Sequence, residues 1–157
     1  MILVYCSETG FTKRYAELLH RKTGLPLMSL PEALTQLTPG SRIAFLGWLK
    51  AGKIQGLSKV QGRFDVALVC AVGMSAHYDG AALAEKHGLK GTPCFYLRGG
   101  YAPERVTGVE RMLMGALRRM LSAKKDEAAA EMRKAMDEGA DWVDEEQLAP
   151  VIRVLNG

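Results

Sequence analysis

Residues 2–12 read Ile2-Leu3-Val4-Tyr5-Cys6-Ser7-Glu8-Thr9-Gly10-Phe11-Thr12, and this stretch decides the fold class. It begins with a continuous apolar run, which is typical of a strand covered on both faces in a parallel sheet. Small hydroxyl residues and a glycine follow, and a helical pattern then runs through residues 12–23 and ends at Gly24. A strand that passes through a short polar loop into a helix begins a βαβ unit.

The chain downstream repeats this alternation of strand and helix. Its weakest apolar run contains Pro26 and therefore belongs at a sheet edge. The further predicted strands are residues 25–30, 43–46, 66–70 and 94–97, and the predicted helices between them are residues 31–37, 57–61 and 81–87. The sequence thus predicts an α/β fold, a doubly wound parallel sheet of five strands with helices on both faces.

The C-terminal third departs from this alternation. Residues 103–121 carry an apolar stripe at helical spacing, which predicts one helix whose apolar face covers the sheet and whose arginines are solvated. Residues 124–141 are charged and alanine-rich, a composition that suits either a helix or an exposed connector. Residues 141–146 indicate a turn and an N-cap before a last helix.

Composition narrows the class of protein. The 157 residues are 48% hydrophobic and 24% charged, as expected for a globular chain, and we interpret residues 1–157 as a single domain. No apolar run approaches a membrane span, and the N-terminus lacks a secretory leader, so we expect a cytoplasmic protein. The three cysteines are widely spaced and form no Cys-x-x-Cys pair, which argues against a disulfide framework and a zinc site.

The net charge of +4 suits an anionic cofactor or a membrane surface. Aromatic residues make up 7% of the chain and do not alternate with lysine and arginine in any run, so we expect no nucleic-acid partner.

The loop after the first strand predicts a phosphate site. In an open α/β sheet, ligands bind outside the carboxyl ends of the strands, and backbone N–H groups at a helix N-terminus bind phosphate without a lysine. Gly10 lets the backbone approach closely, and hydroxyls add donors. An N-cap followed by a tight turn is the alternative interpretation. The candidate residues are Ser7, Glu8, Thr9, Gly10, Phe11 and Thr12.

The pattern Ser-x-Thr-Gly-x-Thr between a first strand and a first helix resembles the FMN phosphate loop of the flavodoxins. This resemblance implies FMN as cofactor, a strand order of 2-1-3-4-5, and two more loops at the same sheet edge. One would lay Trp48 over the flavin ring, although Trp48 also suits a core position. The other would meet the pyrimidine edge, with Tyr78 as a second aromatic wall. The two candidate sets are Gly47, Trp48, Leu49, Lys50, Ala51, Gly52 and Lys53, and Ala71, Val72, Gly73, Met74 and Ser75.

Within the flavodoxin superfamily, residues 47–53 are similar to the Gly-x-x-x-x-Gly-Lys loop of the menaquinone-dependent protoporphyrinogen oxidase family. The tail also resembles that family, with a fifth strand ending in Arg98-Gly99-Gly100-Tyr101, a Met- and Arg-rich helix, and an Asp141-Trp142 pair before the final helix. The resemblance implies an FMN-dependent oxidoreductase. The longer charged stretch at 124–141 departs from the family pattern and leaves the substrate open.

Two other motifs are present except for one essential residue each. Residues 47–53 match most of a Walker A loop, but Ile54 stands where the Mg²⁺-binding hydroxyl belongs. Cys6 and its loop resemble a low-molecular-weight tyrosine phosphatase, but Thr12 stands where the thiolate-stabilising arginine belongs.

We therefore expect an FMN-binding oxidoreductase that exchanges electrons with a quinone or another small molecule, its donor and acceptor unidentified. The alternatives are a single-electron carrier flavodoxin serving protein partners and a flavodoxin-fold binding module without flavin. Lys50 and Lys53 favour the enzyme, because positive charge stabilises an anionic hydroquinone. The sequence assigns no catalytic residue. The basic helix near residues 103–125 predicts peripheral contact with the inner membrane surface.

Overall fold

The computed structural model describes residues 1–157, which build a central sheet with helices on both faces. The sheet strands are β1 (Ile2–Cys6), β2 (Leu27–Ser29), β3 (Arg42–Lys50), β4 (Lys53–Ile54), β5 (Asp65–Gly73) and β6 (Cys94–Arg98). The parallel strands follow the order β2-β1-β3-β5-β6, and β4 pairs antiparallel with the end of β3. Counted without β4, this is the flavodoxin-like order 2-1-3-4-5. The predicted fold class is confirmed.

Four helices follow strands of the main sheet in the intervals that the sequence predicts, and three lie in the C-terminal third. They are α1 (Phe11–Thr23), α2 (Leu30–Gln36), α3 (Leu57–Val60), α4 (Gly80–Lys86), α5 (Gly108–Ser122), α6 (Glu127–Glu138) and α7 (Ala149–Asn156), with 3₁₀ turns at Pro103–Arg105 and Glu145–Leu148. Two short strands, β7 (Gly100–Tyr101) and β8 (Ala140–Asp141), pair antiparallel outside the main sheet. The undecided stretch 124–141 is therefore largely helix α6.

Two separate cores explain why the strand sequences are continuously apolar. Successive residues of a strand point to opposite faces, so Leu3 and Val4 lie in different cores, and both are fully buried. Helices α2, α3 and α4 pack with the Val4 core, and α1 and α7 pack with the Leu3 core. Because both faces are covered, neither face of the inner strands carries a polar stripe.

Tyr15 on α1 ties the C-terminal tail to the sheet. Its hydroxyl donates to the carbonyl of Arg98 at 2.6 Å and accepts from the N–H of Asp144 at 3.3 Å. Burial raises the pKa of Tyr15 to about 12, so the hydroxyl keeps its proton at neutral pH. The tail thereby returns beside β6, and α7 packs on the same face of the sheet as α1.

The predicted loops at 47–53 and 71–75 are partly strand, and that part of the prediction is wrong. Strand β3 continues to Lys50, and a turn at Ala51–Gly52 leads into β4. Gly47 is buried, and a Cβ there would lie 2.6 Å from the carbonyl oxygen of Gln55. Strand β5 likewise continues to Gly73, which buries Ala71 in a core. Strands β3 and β5 therefore continue beyond their most apolar residues, because these positions are also covered on both faces of the sheet.

The prediction that residues 103–121 form one helix covering the sheet is also wrong. A 3₁₀ turn precedes α5, which begins only at Gly108, a residue with φ +58°. No residue of α5 is buried, and Met112, Val109 and Met120 are 75%, 68% and 66% exposed. Helices α1 and α7 already cover that face of the sheet, so α5 packs against α6 instead.

Candidate functional site

A cavity of about 440 Å³ lies at the carboxyl edge of the sheet. It opens where β1 and β3 are neighbours and their connections leave toward opposite sides, which is the usual ligand position in this architecture. Its wall contains parts of all three predicted segments. The predicted residues that line it are Ser7, Glu8, Thr9, Phe11, Thr12, Trp48, Leu49, Lys50, Ala51, Gly52, Val72, Gly73, Met74, Ser75 and Tyr78. Gly10, Gly47, Lys53 and Ala71 are not part of this wall.

The polar end of the cavity is the loop between β1 and α1. Gly10 is the N-cap of α1 with φ +100°, a conformation that a side chain would strain, and its N–H donates to Ser7 Oγ at 3.2 Å. The first N–H groups of a helix have no acceptor within it, so those of Phe11, Thr12 and Lys13 are available to a ligand. The helix dipole adds partial positive charge at this end. The loop is suited to an anion.

The second side of the cavity is the hairpin of β3 and β4. Trp48 is half-buried and lines the cavity, as do the residues of the turn. His87 holds the hairpin, because its Nε2 accepts from the N–H of Ile54 at 3.1 Å while its Nδ1 donates to the Leu83 carbonyl at 2.8 Å. Lys53 is exposed and does not line the cavity. His87 therefore fixes the hairpin, through Ile54, against the C-terminal end of α4.

The third side follows β5 and carries two tyrosines. The rings of Tyr78 and Tyr96 lie 5.7 Å apart between centroids, tilted by 37°. Tyr96 donates to the carbonyl of Ser75 at 2.7 Å, and burial raises its pKa. Arg98 holds the neighbouring residue, because its Nε donates to the Met74 carbonyl at 3.1 Å. The segment 73–75 is thus fixed by side chains of β6.

Helices α5 and α6 supply a wall that the sequence did not predict. The cavity residues missed by sequence reasoning are Tyr96, Gly100, Tyr101, Val106, Glu110, Leu113, Met114, Leu117 and Met132. Glu110 forms an ion pair with Lys50 across the cavity. The helical stripe of apolar residues was visible in the sequence, but periodicity does not say which surface a stripe faces. These residues give the cavity a largely apolar side.

The arm that carries this wall is anchored by arginines. Arg118 on α5 forms two hydrogen bonds with the carboxylate of Asp137 on α6, at 2.6 and 2.7 Å. Arg98 reaches Glu131 on α6 at 2.9 Å, and its guanidinium lies 3.6 Å from the centroid of the Trp142 ring. These contacts join α5 to α6 and α6 to the sheet.

Cys6 lies on the other side of the loop between β1 and α1, beside Lys13 and Lys59. Burial raises the pKa of its thiol, although the charge of Lys59 and a hydrogen bond with Trp48 act in the opposite direction. A protonated thiol is a poor nucleophile. The geometry therefore agrees with the missing arginine at position 12 in arguing against phosphatase chemistry.

No protein-family model matches the chain, and neither does any curated protein or solved structure. None of its helices has both the length and the apolar composition required to cross a bilayer. The chemistry of the cavity is therefore inferred from its own residues.

Proposed function

We propose that the cavity binds FMN and that the protein is an FMN-dependent oxidoreductase. One observation carries the proposal: a single cavity joins the uncapped N-terminus of α1 to an aromatic and apolar chamber at the switch point of the sheet. FMN has the matching shape, since a terminal phosphate is linked through a ribityl chain to a flat aromatic ring. The cavity volume of about 440 Å³ lies within the range of small-ligand sites.

The residues present fit this cofactor. The loop from Ser7 to Thr12 would hold the phosphate through backbone N–H groups, and Trp48 and Tyr78 would contact the ring from two sides. The segment 73–75 offers backbone polar groups at the ring edge. Bound FMN supplies the capacity to accept and release electrons singly or in pairs. The protein supplies binding, orientation and the exclusion of water by the apolar side chains of α5 and α6.

The wall built by α5 and α6 favours an enzyme over a carrier. A carrier must present the flavin edge to protein partners, whereas here two helices cover one side of the chamber with side chains such as Leu113, Leu117 and Met132. Such a wall suits a flat, apolar small molecule, and we propose a quinone as electron acceptor. The net charge of +4 also differs from the strongly acidic carriers that the sequence resembles.

We also propose that α5 rests on an anionic membrane surface. Its outer face exposes Val109, Met112 and Met120, and two exposed basic residues follow, Arg119 in the last turn of α5 and Lys124 just beyond it. An apolar face with basic residues beside it is typical of helices that lie in the membrane interface. Leu113 and Leu117 belong to both surfaces, because they line the cavity and are 48% and 39% exposed. The exposed face is thus continuous with the cavity.

Titration with FMN tests the proposal directly. We expect the purified protein to be yellow, or to bind FMN with a shift of the flavin absorbance bands, and to bind FAD poorly because the loop suits a terminal phosphate. The reduced complex should then be reoxidised faster by a soluble naphthoquinone than by a protein carrier. Failure to bind FMN would leave only a flavodoxin-fold module of another function.

A further inference from the structure

Arg105 approaches the phosphate loop from a distant part of the chain. Its Nη1 donates a hydrogen bond to the carbonyl of Thr9 at 2.8 Å, although the two residues are separated by 96 positions. A Cβ built on Gly10 would lie 3.2 Å from the same nitrogen. The side chain belongs to the 3₁₀ turn Pro103–Arg105, which precedes α5. A guanidinium therefore lies against the backbone of the loop that opens α1.

The charge balance of the cavity shows what this guanidinium is suited to do. The charged side chains of the cavity wall are Glu8, Lys50 and Glu110. Lys50 and Glu110 neutralise each other as an ion pair, which leaves the carboxylate of Glu8 at the loop. A phosphate monoester carries a charge of roughly −1.5 to −2 at neutral pH. Such a group beside Glu8 is stabilised further by positive charge that adds to the partial charges of the helix N-terminus.

The two lysines near the loop, Lys13 and Lys59, are less well placed for that role, because both line the open region on the Cys6 side of the loop. The ammonium of Lys13 also lies 3.8 Å from the carboxylate of Glu17. Arg105 has five N–H donors in a planar fork, of which the contact with Thr9 uses one. Arg105 is exposed beside the loop and is not one of the residues of the cavity wall, so its remaining donors would reach two oxygens of a phosphate on the loop from that side.

We propose that Arg105 is a phosphate-binding residue that makes the site selective for a terminal phosphate monoester. The inference rests on the proposed function, because the ligand is the phosphate of FMN. It assigns the discrimination of FMN from riboflavin to the charge of one side chain as well as to the loop. It also means that the segment before α5 contacts the same ligand that the N-terminus of α1 binds.

The test compares the affinities of FMN and riboflavin in the parent protein, Arg105→Gln, Arg105→Lys and the control Arg21→Gln. Arg21 is exposed at the opposite end of α1, so its substitution makes the same change in net charge away from the loop. Glutamine removes the charge and keeps a polar amide, and lysine keeps the charge without the planar fork of donors. We expect Arg105→Gln to weaken FMN binding by roughly 10- to 100-fold, a loss typical of hydrogen bonds to charged groups. Riboflavin affinity should stay unchanged.

Two further readouts separate charge from loop shape. The FMN affinity of the parent should fall with salt more steeply than that of Arg105→Gln, and Arg105→Lys should recover most of the affinity. Inorganic phosphate should raise the thermal midpoint of the parent and of Arg21→Gln more than that of Arg105→Gln. This measurement needs no flavin.

The outcomes distinguish this inference from the proposed function. If the parent binds FMN and Arg105→Gln binds it equally well, the inference is wrong and the proposed function stands. Equal losses for FMN and riboflavin would mean that Arg105 only shapes the loop, which also overturns the inference. If the parent binds no FMN, the proposed function fails, and the phosphate measurement alone decides: stabilisation lost in Arg105→Gln supports the anion site, and any other result overturns it.

Discussion

The ammonium group of Lys50, at the end of β3, forms an ion pair with the carboxylate of Glu110 on α5. Both residues line the cavity, and their side chains are 36% and 23% exposed, so the pair is better shielded from water than most surface pairs. It joins the hairpin to the helical arm across the opening. It also neutralises most of the positive charge that the sequence predicts beside the proposed flavin, since Lys53 lies outside the cavity.

The redox potential of the bound flavin should therefore respond to Glu110 and Lys50 but not to Lys53. Removing the carboxylate in Glu110→Gln leaves Lys50 unbalanced and stabilises an anionic hydroquinone by about 1 kcal/mol, which raises the one-electron potential by on the order of 40 mV. Lys50→Gln should lower it. Lys53→Gln is the control and should leave it unchanged. Redox titration decides, and an effect of Lys53 equal to that of Lys50 would contradict the assignment.

Substitution at Gly10 should abolish or greatly weaken FMN binding. In Gly10→Val the φ of +100° becomes strained and the side chain meets Arg105, so the loop cannot keep its shape. Gly24→Val is a matched control, because Gly24 also has positive φ, ends the same helix and has no atom within 4 Å of its Cβ position. Both variants should lose roughly 1–2 kcal/mol of stability. Equal FMN affinity in the two variants would place the phosphate elsewhere.

Trp48 fluorescence should be quenched when FMN binds, whereas Trp142 should respond little. Trp48 lines the cavity, but the ring of Trp142 stacks on the guanidinium of Arg98. Trp142→Phe leaves Trp48 as the only tryptophan and isolates its signal. Stacking contributes about 1 kcal/mol beyond area burial, so Trp48→Ala should weaken FMN binding about fivefold. An unquenched Trp48 at saturation would contradict the position of the ring.

Binding to anionic vesicles should depend on both the apolar face and the salt concentration. The parent should pellet with vesicles of mixed neutral and anionic phospholipid at low salt and be released at high salt. Met112→Glu combined with Met120→Glu should abolish pelleting, because two carboxylates would have to enter the interface. Val154→Glu is the control, since Val154 is a 44% exposed apolar residue on α7. A parent that stays in solution at low salt would remove the membrane from the proposal.

The cysteines should react slowly with alkylating agents at neutral pH. Burial raises the pKa of Cys6 and Cys70, and it raises the pKa of Cys94 to about 11, so the reactive thiolate is scarce in the folded protein. Raising the pH should accelerate labelling only as these thiols begin to ionise. The same protein unfolded in urea serves as the control and should react roughly tenfold faster or more. Rapid labelling of folded Cys6 at pH 7 would revive a nucleophilic role.

The parallel strands and α1 were predictable because their signals are local. An apolar run, a polar loop and a glycine at each end of α1 suffice to place residues 2–24. The extent of β3 and β5 was not predictable, because Gly47 and Ala71 become strand only through pairing with neighbouring strands. The position of α5 depended on whether the sheet face was already occupied. Arg105 was visible as a basic residue, but its contact with Thr9 arises from a return of the chain that no local pattern encodes.

The pairing of β7 with β8 has a consequence for how this fold diversifies. Gly100 pairs with Asp141 and Tyr101 with Ala140, so the two ends of the segment 102–139 lie side by side at this small two-stranded sheet. The Trp142 N–H donates to the Gly99 carbonyl at 2.8 Å and closes the base of this excursion. A segment whose two ends meet can vary in sequence with little disturbance to the scaffold that carries it. The apolar half of the cavity can therefore change independently of the sheet, except where Arg105 and Glu110 join it to the β1–α1 loop and to the hairpin.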